Sequence, residues 1–463
     1  MQTQSQIDPL VSFRNTEGEA VRGTLVNLQR KSLVMEVYNP YSIVQVSEVL
    51  NELTVRMGTT VAYQGKAVVI SLVNTGLTAI VSATLIDEWC ELNSVAAVPG
   101  AVGAEAQAFV KDWTKRFQIN HGYQIVINET RAFLSDVARW VEQVDLSTSL
   151  PKVNGKLRLD VFGELSYPLI QKTKACLDNL EIEASQINQE MLPFHRSYAQ
   201  SALHPLLLRA PFVFRTYTKP LGYAGDYQMV NQIIDDPRQG SNTYFQMVNT
   251  AFLQTAVAAA HRNRIDLLLD FLTRTADAAQ RARKTFRVLN VGCGPAIEIQ
   301  RFLQNYPHPE WLSFELVDFS EETLAWTREK LSSIIKQIGK PVSIEYVHDS
   351  VHKLLKHRID PNSDSSRKFD AVYCAGLFDY LSDKVCSRLT SHFAARTNHG
   401  GLLLITNVHS SNPMKYVMEH VLEWYLIYRD NANLGSLLPQ DSIIQKIYVD
   451  ATGVNVFAEA IVA

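Results

Sequence analysis

Residues 288–298 read VLNVGCGPAIE, an apolar strand that runs into a glycine-rich turn and then into a helix. Gly292 and Gly294 let the backbone approach a ligand at positions where a side chain would collide with it. The helix that follows presents unpaired N–H groups and the positive end of its dipole. This environment suits either a pyrophosphate or the carboxylate of a methionine moiety.

The spacing of the glycines distinguishes between these two ligands. A dinucleotide-binding turn has Gly or Ala three residues after its second glycine, and here Ile297 occupies that position. The stretch instead resembles the first motif of methyltransferases, with Ala296 in the place of the usual third glycine. We therefore predict S-adenosyl-L-methionine as the cofactor.

Short apolar strands alternate with helical stretches from Phe286 onward, which predicts a doubly wound α/β sheet. A final pair of strands, Ile444–Ala451 and Asn455–Val462, forms a C-terminal antiparallel hairpin. The predicted fold is therefore a Rossmann-like class I methyltransferase sheet that ends in this hairpin. The preceding strands are predicted at Phe286–Val291, Ser313–Val317, Val342–Val347, Asp370–Cys374 and Leu402–Thr406.

Polar residues follow the ends of successive strands, and these ends share one edge of a parallel sheet. Asp318 ends the second strand, where a carboxylate can accept hydrogen bonds from both ribose hydroxyls. Asp349 ends the third strand, where it is a candidate partner for the adenine amino group. Either acid alone is more often a solvated loop residue, and their order along the strands favours a cofactor site. The predicted cofactor contacts at this edge are Asn290, Gly292, Gly294, Asp318, Phe319, Asp349, Ser350, Cys374 and Gly376.

Two further segments precede the sheet. From Val11 to about Trp89, short β-branched runs predict a small antiparallel barrel or sandwich. Ala67–Ile86 is apolar enough to raise the question of a membrane span, but Asn74-Thr75-Gly76 interrupts it and favours a hairpin. Residues 123–144 and 165–180 change to a helical period and carry one-sided apolar stripes.

Pro205, Pro211 and Pro220 predict a loop region in place of a continuing helix, and another helix is predicted from Ser241 to Leu272. The chain is therefore expected to contain three domains. A β-barrel occupies residues 1–98, a helical region with cofactor-lid and substrate-binding elements occupies 99–280, and the methyltransferase domain occupies 281–463.

The composition argues against several other classes of protein. A net charge of −3 without a long basic run leaves no electrostatic footprint for nucleic acid. Five scattered cysteines without CxxC spacing predict neither a zinc site nor a disulfide framework, so no metal is expected. The opening residues lack a signal-peptide pattern, which favours a cytoplasmic enzyme without a stable membrane span. A homodimer is a candidate assembly.

Three stretches carry a resemblance to a known family: KPLGYAGDYQM at 219–229, GLLLITNVHSSNP at 401–413 and EWYLIYR at 423–429. With the glycine turn, they resemble the bacterial extracellular-factor 3-hydroxypalmitic acid methyl ester biosynthesis proteins, from about Met191 to the C-terminus. This resemblance implies a methyltransferase that esterifies a 3-hydroxy fatty acid to make a quorum-sensing signal.

The N-terminal segment looks like a degenerate PilZ domain, the barrel that binds cyclic-di-GMP in other proteins. It lacks that family's arginine pair and its Asp/Asn-x-Ser-x-x-Gly signature, and residues 27–32 read NLQRKS instead. The resemblance therefore implies a structural or docking role for this segment.

Gly222 and Gly225 flank Tyr223, which predicts a flexible aromatic lid over the cofactor or, alternatively, a capping turn with a buried tyrosine. Asp226 is a candidate partner for the methionine amino group. Arg429 is expected on a helix rich in aromatic residues, where it would pair either with a substrate carboxylate or with a structural acid. The candidate catalytic residues are Tyr223, Asn407, His409 and Arg429.

The chemistry of the acceptor separates the functional hypotheses. A carboxylate is already ionised at pH 7 and needs no general base, whereas a hydroxyl or amine more often uses one. His195, His409 and Asp379 are the candidate bases. We predict methylation of a 3-hydroxy fatty acid carboxylate. The alternatives are an O- or N-methyltransferase acting on another metabolite or a protein side chain, and a non-enzymatic nucleotide-responsive regulator.

Overall fold

A computed structural model of the chain describes residues 10–14, 20–38, 48–57, 60–74, 78–89, 118–146, 150–356 and 368–463, with five helical positions between 103 and 114. The chain forms two compact units. One contains Met1–Gln118 and Lys219–Tyr223, and the other contains Ile119–Thr218 and Ala224–Ala463.

The first unit contains a closed antiparallel barrel with the strand order β1-β2-β3-β6-β5-β4. Alternate side chains such as Val11, Phe13 and Met35 are buried inside it, as the period of a strand requires. Ala67 pairs with Leu85 across β5 and β6, which confirms the predicted hairpin. The strands are β1 (Leu10–Arg14), β2 (Ala20–Gln29), β3 (Ser32–Tyr38), β4 (Val49–Met57), β5 (Thr60–Asn74) and β6 (Thr78–Leu85).

No helix in the described parts of the chain has the length and apolar character that crossing a membrane requires.

The second unit begins with helices that pack around a shared apolar core. Their buried residues recur at helical spacing, so the predicted amphipathic stripes are confirmed in α1 and α2. The small sheet of β7 (Lys152–Val153) and β8 (Lys156–Leu157) joins these two helices. The helices are α1 (His121–Leu146), α2 (Leu159–Ser185), α3 (Leu192–Leu207), α4 (Pro211–Thr218), α5 (Tyr227–Ile234), α6 (Thr243–Leu253) and α7 (Ala256–Arg281).

Two predictions for this region are corrected. Pro205 lies inside the last turn of α3 and Pro211 opens α4, so the prolines do not produce a continuous loop. Proline at the first helical position is tolerated because the N–H it lacks would be unpaired there anyway. The helix predicted from Ser241 to Leu272 is two helices, because the chain breaks at Gln254 and Thr255 begins α7.

The seven-stranded sheet has the order β11-β10-β9-β12-β13-β15-β14. Only β15 is antiparallel to its neighbours, β13 and β14, so the predicted sheet with its C-terminal hairpin is confirmed. The strands are β9 (Phe286–Val291), β10 (Leu312–Asp318), β11 (Ser343–His348), β12 (Phe369–Cys374), β13 (Thr397–Val408), β14 (Ser442–Val449) and β15 (Asn455–Val462).

Helices cover both faces of this sheet, which explains why its central strands are almost continuously apolar. One face packs against α7, α8 and α9, and the other against α10, α11 and α13. The carboxyl ends of β9, β10, β11 and β12 consequently meet at one edge. The remaining helices are α8 (Ile297–Asn305), α9 (Glu321–Ile338), α10 (Val351–Lys356), α11 (Asp383–Ala395), α12 (Lys415–Val421) and α13 (Asn431–Gly435).

A substitution at Phe271 tests the packing of α7 on the sheet. It is fully buried, and its ring meets the Tyr373 ring edge-on at a centroid distance of 6.3 Å. Phe271→Ala should lower the free energy of unfolding by about 3–5 kcal/mol, because it leaves a cavity in the core. The control Phe214→Ala removes a phenyl ring that is 53% exposed on α4 and should change it by less than about 0.5 kcal/mol. Equal effects of the two substitutions in urea denaturation would contradict this packing.

Candidate cofactor and active site

The turn after β9 holds three residues in the left-handed backbone region, with φ of 71° at Gly292, 51° at Gly294 and 48° at Ala296. The N–H groups of Gly292 and Cys293 both donate to the carbonyl of Val317, at 2.9 and 3.0 Å, and tie the turn to the end of β10. No atom lies within 4 Å of the position that a Cβ on Gly294 would take. The turn therefore leaves its backbone open to a ligand.

Asp318 links the same turn to the second strand. One carboxylate oxygen accepts the N–H of Gly294 at 3.0 Å and the other accepts the N–H of Ser320 at 2.9 Å. Burial raises the pKa of Asp318, while the hydrogen bonds from Ser320 and Gly294 oppose that shift. Each oxygen keeps a further lone pair, so the carboxylate can still accept hydrogen bonds from a ligand hydroxyl.

Asn290 lies beneath the turn. Its side-chain amide donates to the Tyr373 hydroxyl at 3.0 Å and to Glu298 at 3.3 Å, and Tyr373 donates to the same Glu298 oxygen at 2.7 Å. Burial raises the pKa of Glu298. These contacts hold the first turn of α8 against β9 and β12. The predicted cofactor contact of Asn290 stays a prediction, and the geometry favours a supporting role.

The carboxyl end of the third strand, β11, lies at the same edge of the sheet as the ends of β9 and β10. The N–H of Asp349 donates to the Asp318 carbonyl at 3.1 Å, and Ser350 accepts the N–H of Lys353 and begins α10. Phe319 follows Asp318 with its ring 44% exposed. An aromatic face next to a carboxylate suits an adenine ring joined to a ribose.

The end of the fourth strand, β12, leads into a glycine loop. The Cys374 side chain is fully buried in the core, and its predicted contact with the cofactor stays a prediction. Gly376 has a φ of 94°, and its N–H donates to the Thr406 hydroxyl at 3.1 Å. A Cβ on Gly376 would lie 3.0 Å from Nη1 of Arg264. The loop after β12 therefore packs against a cation from α7, a residue that the sequence analysis did not single out.

The residues at this edge fit S-adenosyl-L-methionine. Asp318 is a buried acceptor for a diol, Phe319 offers an apolar face, and Gly294 leaves space over the turn. None of the residues that the structure describes form a cluster of three or more potential metal ligands.

Arg429 joins the loop after β12 to the end of β13. Its Nε and Nη2 donate to the Asp383 carboxylate at 2.9 and 2.7 Å. Nη1 donates to the Phe378 carbonyl and to the side-chain oxygen of Asn407. Nη2 also donates to the Leu381 carbonyl. All five N–H groups of the guanidinium thus have a protein acceptor. Of the two predicted roles for Arg429, this geometry favours the structural ion pair.

The expected position of Arg429 on a helix is wrong. The helix α12 ends at Val421, and Arg429 lies in an extended segment that bridges to His409. Glu423 adopts a φ of 50°, which turns the chain out of the helix before the aromatic residues.

Asn407 and His409 are also engaged with the protein. The Asn407 amide donates to the carbonyls of Val408 and Ile427 at 2.9 and 2.7 Å and is buried. Nδ1 of His409 accepts the N–H of Ser411 at 3.1 Å. Their predicted catalytic roles stay predictions.

Asp226 begins α5, where its carboxylate accepts the N–H of Met229 at 2.8 Å and pairs with Arg215 at 2.7 Å. These contacts indicate helix capping, and its predicted contact with a methionine amino group stays a prediction. Tyr223 belongs to the first compact unit, after a turn in which the Gly222 N–H donates to the Lys219 carbonyl. Its predicted role as a lid also stays a prediction.

An aromatic pair next to this edge was also not predicted from the sequence. Nε1 of Trp424 donates to the Tyr380 hydroxyl at 3.1 Å. A Cβ on Gly225 would lie 2.9 Å from that hydroxyl, so Gly225 is needed for this close approach. The GYAGDY stretch thus contributes a small residue next to the loop after β12.

This sheet order and the contacts at its edge define a class I methyltransferase domain. Residues 288–401 match the family described as methyltransferase domain, so the chain contains such a domain. The predicted cofactor, S-adenosyl-L-methionine, agrees with this class.

A curated relative, malonyl-[acyl-carrier protein] O-methyltransferase 1 from Ilyobacter polytropus, is 23% identical over 120 residues. The match covers 26% of this chain and only 37% of the relative's length.

Two solved structures are also similar. Magnesium protoporphyrin IX methyltransferase from Synechocystis with bound SAH is 13% identical, with coverage of 54% of this chain and 98% of that one and a TM-score of 0.37. The N-methyltransferase from Bradyrhizobium japonicum in complex with S-adenosyl-L-homocysteine is 11% identical, with coverage of 51% and 97% and a TM-score of 0.31.

Asp318→Asn should weaken binding of S-adenosylhomocysteine about 10- to 100-fold in calorimetry, because it removes a charged acceptor. The control Asp266→Asn alters an exposed carboxylate that pairs with Arg301, and should leave the affinity unchanged. An Asp318→Asn variant with wild-type affinity would contradict the ribose assignment.

Asp379 makes stability depend on pH. It is buried and accepts the N–H of Val408 at 2.6 Å, and burial raises its pKa to about 6, against the opposing charges of Arg264 and Arg429. The folded chain therefore binds this proton more tightly than the unfolded chain, and folding loses this contribution as the pH rises through about 4 to 6.

Asp379→Asn removes that titration. The difference in the free energy of unfolding between the variant and wild type should change by on the order of 3 kcal/mol in favour of the variant as the pH rises from 4 to 7. Urea denaturation at each pH measures this difference. A constant difference between the two proteins across that range would refute the raised pKa.

Proposed function

We propose that this chain transfers a methyl group from S-adenosyl-L-methionine to the carboxylate of a 3-hydroxy fatty acid, and so makes a methyl ester that serves as a quorum-sensing signal. The observation that carries the methyltransferase part is the open glycine turn tied to buried Asp318 at the edge of a sheet with this strand order. The acyl substrate rests on the resemblance described above and on the arguments that follow.

The cofactor, when bound, supplies an electrophilic methyl group on a positively charged sulfur. The contribution of the chain is to hold the reactants in line and to keep water away, because charge is lost as the methyl group moves. The hydrogen bonds from Arg429 to the loop 378–383 hold that loop in place beside the predicted cofactor site. A loop held in this way favours the in-line alignment of the reactants that methyl transfer requires.

Apolar groups surround the fourth and fifth strand ends. Met229, Met418 and Trp424 are buried in one continuous cluster with the helices α1 to α7. The ring of His261 lies 6.0 Å from that of Trp424, and burial strongly lowers the pKa of His261, which keeps it neutral. An apolar environment of this kind next to the strand ends suits an acyl chain better than a charged peptide.

Two of the three candidate bases, His195 and His409, are engaged with the protein, which favours an acceptor that needs no base. Nε2 of His195 accepts the N–H of Asn120 at 2.9 Å, so its Nδ1 carries the proton and donates to the Met191 carbonyl at 2.8 Å. Nδ1 of His409 accepts a backbone N–H. A carboxylate acceptor reacts in its ionised form without a base.

The name of the Ilyobacter polytropus relative also supports an acyl substrate, because that protein is an O-methyltransferase of malonyl-[acyl-carrier protein]. An acyl group on a carrier is therefore a second form of substrate to test. The PilZ-like docking role of the barrel, the cytoplasmic location and the homodimer belong to the same proposal.

The product distinguishes the hypotheses. Purified chain with methyl-labelled S-adenosyl-L-methionine and 3-hydroxypalmitate should give an organic-soluble product that releases volatile labelled methanol in mild alkali, because esters hydrolyse there and ethers and amines do not. Asp318→Asn is the control variant and should give about tenfold less product at limiting cofactor.

Matched substrates sharpen the result. 3-Hydroxypalmitamide keeps the hydroxyl but lacks the carboxylate, and should accept no label. Alkali-stable label on the amide would instead show hydroxyl methylation, and label only on added protein would show a protein substrate. S-adenosylhomocysteine binding without transfer to fatty acid, acyl carrier or protein would favour the regulator.

A further inference from the structure

Arg264 extends from α7 toward the edge of the sheet, where the carboxyl ends of β9 and β12 meet. Its Nη1, Cζ and Nη2 atoms lie 3.0, 3.4 and 3.5 Å from the position that a Cβ on Gly376 would take. The whole guanidinium therefore packs against the Gly376 backbone, and any side chain at Gly376 would displace it.

The Arg264 guanidinium makes no hydrogen bond or ion pair with any residue that the structure describes. Arg262, two residues earlier on the same helix, donates to the carbonyls of Ile233 and Leu253 at 3.3 and 3.0 Å. Arg429 has all five donors satisfied. The Arg264 side chain is half-buried, and its donors are available to an acceptor from outside the chain.

The acids near Arg264 are committed elsewhere. Asp379 accepts the N–H of Val408, and Glu298 accepts hydrogen bonds from Tyr373 and Asn290. Both act on Arg264 through space without bonding it. Burial lowers the pKa of the Arg264 guanidinium, and the charges of Asp379 and Glu298 oppose that shift. The donors of Arg264 stay available to an anion.

The direction of the cofactor follows from the strand ends. With the ribose at Asp318 and the adenine beside Phe319, as predicted from the sequence, the amino-acid part would run across Gly292 and Gly294 toward β12. Arg264 lies at that end of the path. The carboxylate is the single anionic group of S-adenosyl-L-methionine, and a planar guanidinium can bind it with two parallel hydrogen bonds.

We propose that Arg264 binds the carboxylate of the methionine moiety of S-adenosyl-L-methionine. This assignment rests on the proposed function, because it takes the same cofactor in the same site. It gives α7, the helix before the sheet, a direct part in cofactor binding beside the strand ends and the GYAGDY stretch.

A pair of ligands isolates this contact. S-adenosylhomocysteine carries the carboxylate, and its decarboxylated analogue keeps the nucleoside, the thioether and the amine but lacks that group. Isothermal calorimetry on the full chain should show that wild type binds S-adenosylhomocysteine about 10- to 100-fold more tightly than the analogue. Arg264→Gln should lose most of that preference, with affinity for the analogue changed less than about threefold.

Two variants control for damage to the fold. Arg262→Gln removes a guanidinium from the same helix and should leave the preference between the ligands intact, even if it lowers the melting temperature. Arg264→Lys keeps the charge without the two-donor geometry and should keep part of the preference.

Failure of the Arg264 assignment and failure of the proposed function would give different binding results. Arg264→Gln and Arg264→Lys proteins that keep the full preference, or that weaken both ligands equally, would overturn the assignment of Arg264 and leave the cofactor site standing. An unchanged preference with weaker fatty-acid binding would assign Arg264 to the acceptor carboxylate instead. Failure of wild type to bind S-adenosylhomocysteine would overturn the proposed function together with this assignment.

Discussion

The second unit depends on hydrogen bonds between the glycine turn and the end of β10. Three successive backbone N–H groups, from Gly292 to Gly294, donate to the carbonyl of Val317 and the carboxylate of Asp318. They are possible only because the turn passes through the left-handed region, where glycine is favoured and Ala296 is tolerated. The same bonds that close the turn orient Asp318, so the fold and the cofactor site share one constraint.

A second set of contacts organises the other half of the edge. Arg429 holds the loop 378–383 against β13, and Asp379 in that loop accepts the N–H of Val408. Arg264 packs on Gly376 within the same region. Arg264, Arg429 and Asp379 therefore lie close together in a partly buried region. Of the two guanidinium groups, that of Arg429 has a protein acceptor for every donor. The saturated donors of Arg429 fit a structural role, whereas the donors of Arg264 are available for the proposed contact with the cofactor.

The sheet was predictable from the sequence because each strand is an apolar run bounded by turn residues, and because the acids stand at the ends of those runs. Arg429 was wrongly placed on a helix, its two possible partners were left open, and Arg264 was not singled out, since the partners of an arginine are set by tertiary packing that local spacing does not contain. Phe378, Leu381 and Asp383 lie some 50 positions from Arg429 in the chain. The break at Gln254 and the helical Pro205 were missed because neighbouring helices decide them more than propensity does.

A crystal structure of the chain with S-adenosylhomocysteine measures the central claim most directly. The account predicts ribose hydroxyls within hydrogen-bonding distance of the Asp318 carboxylate, adenine beside Phe319, and the amino-acid end over the turn toward Gly376. A ligand bound in the reverse direction, or at another place on the sheet with the turn closed against it, would contradict the account.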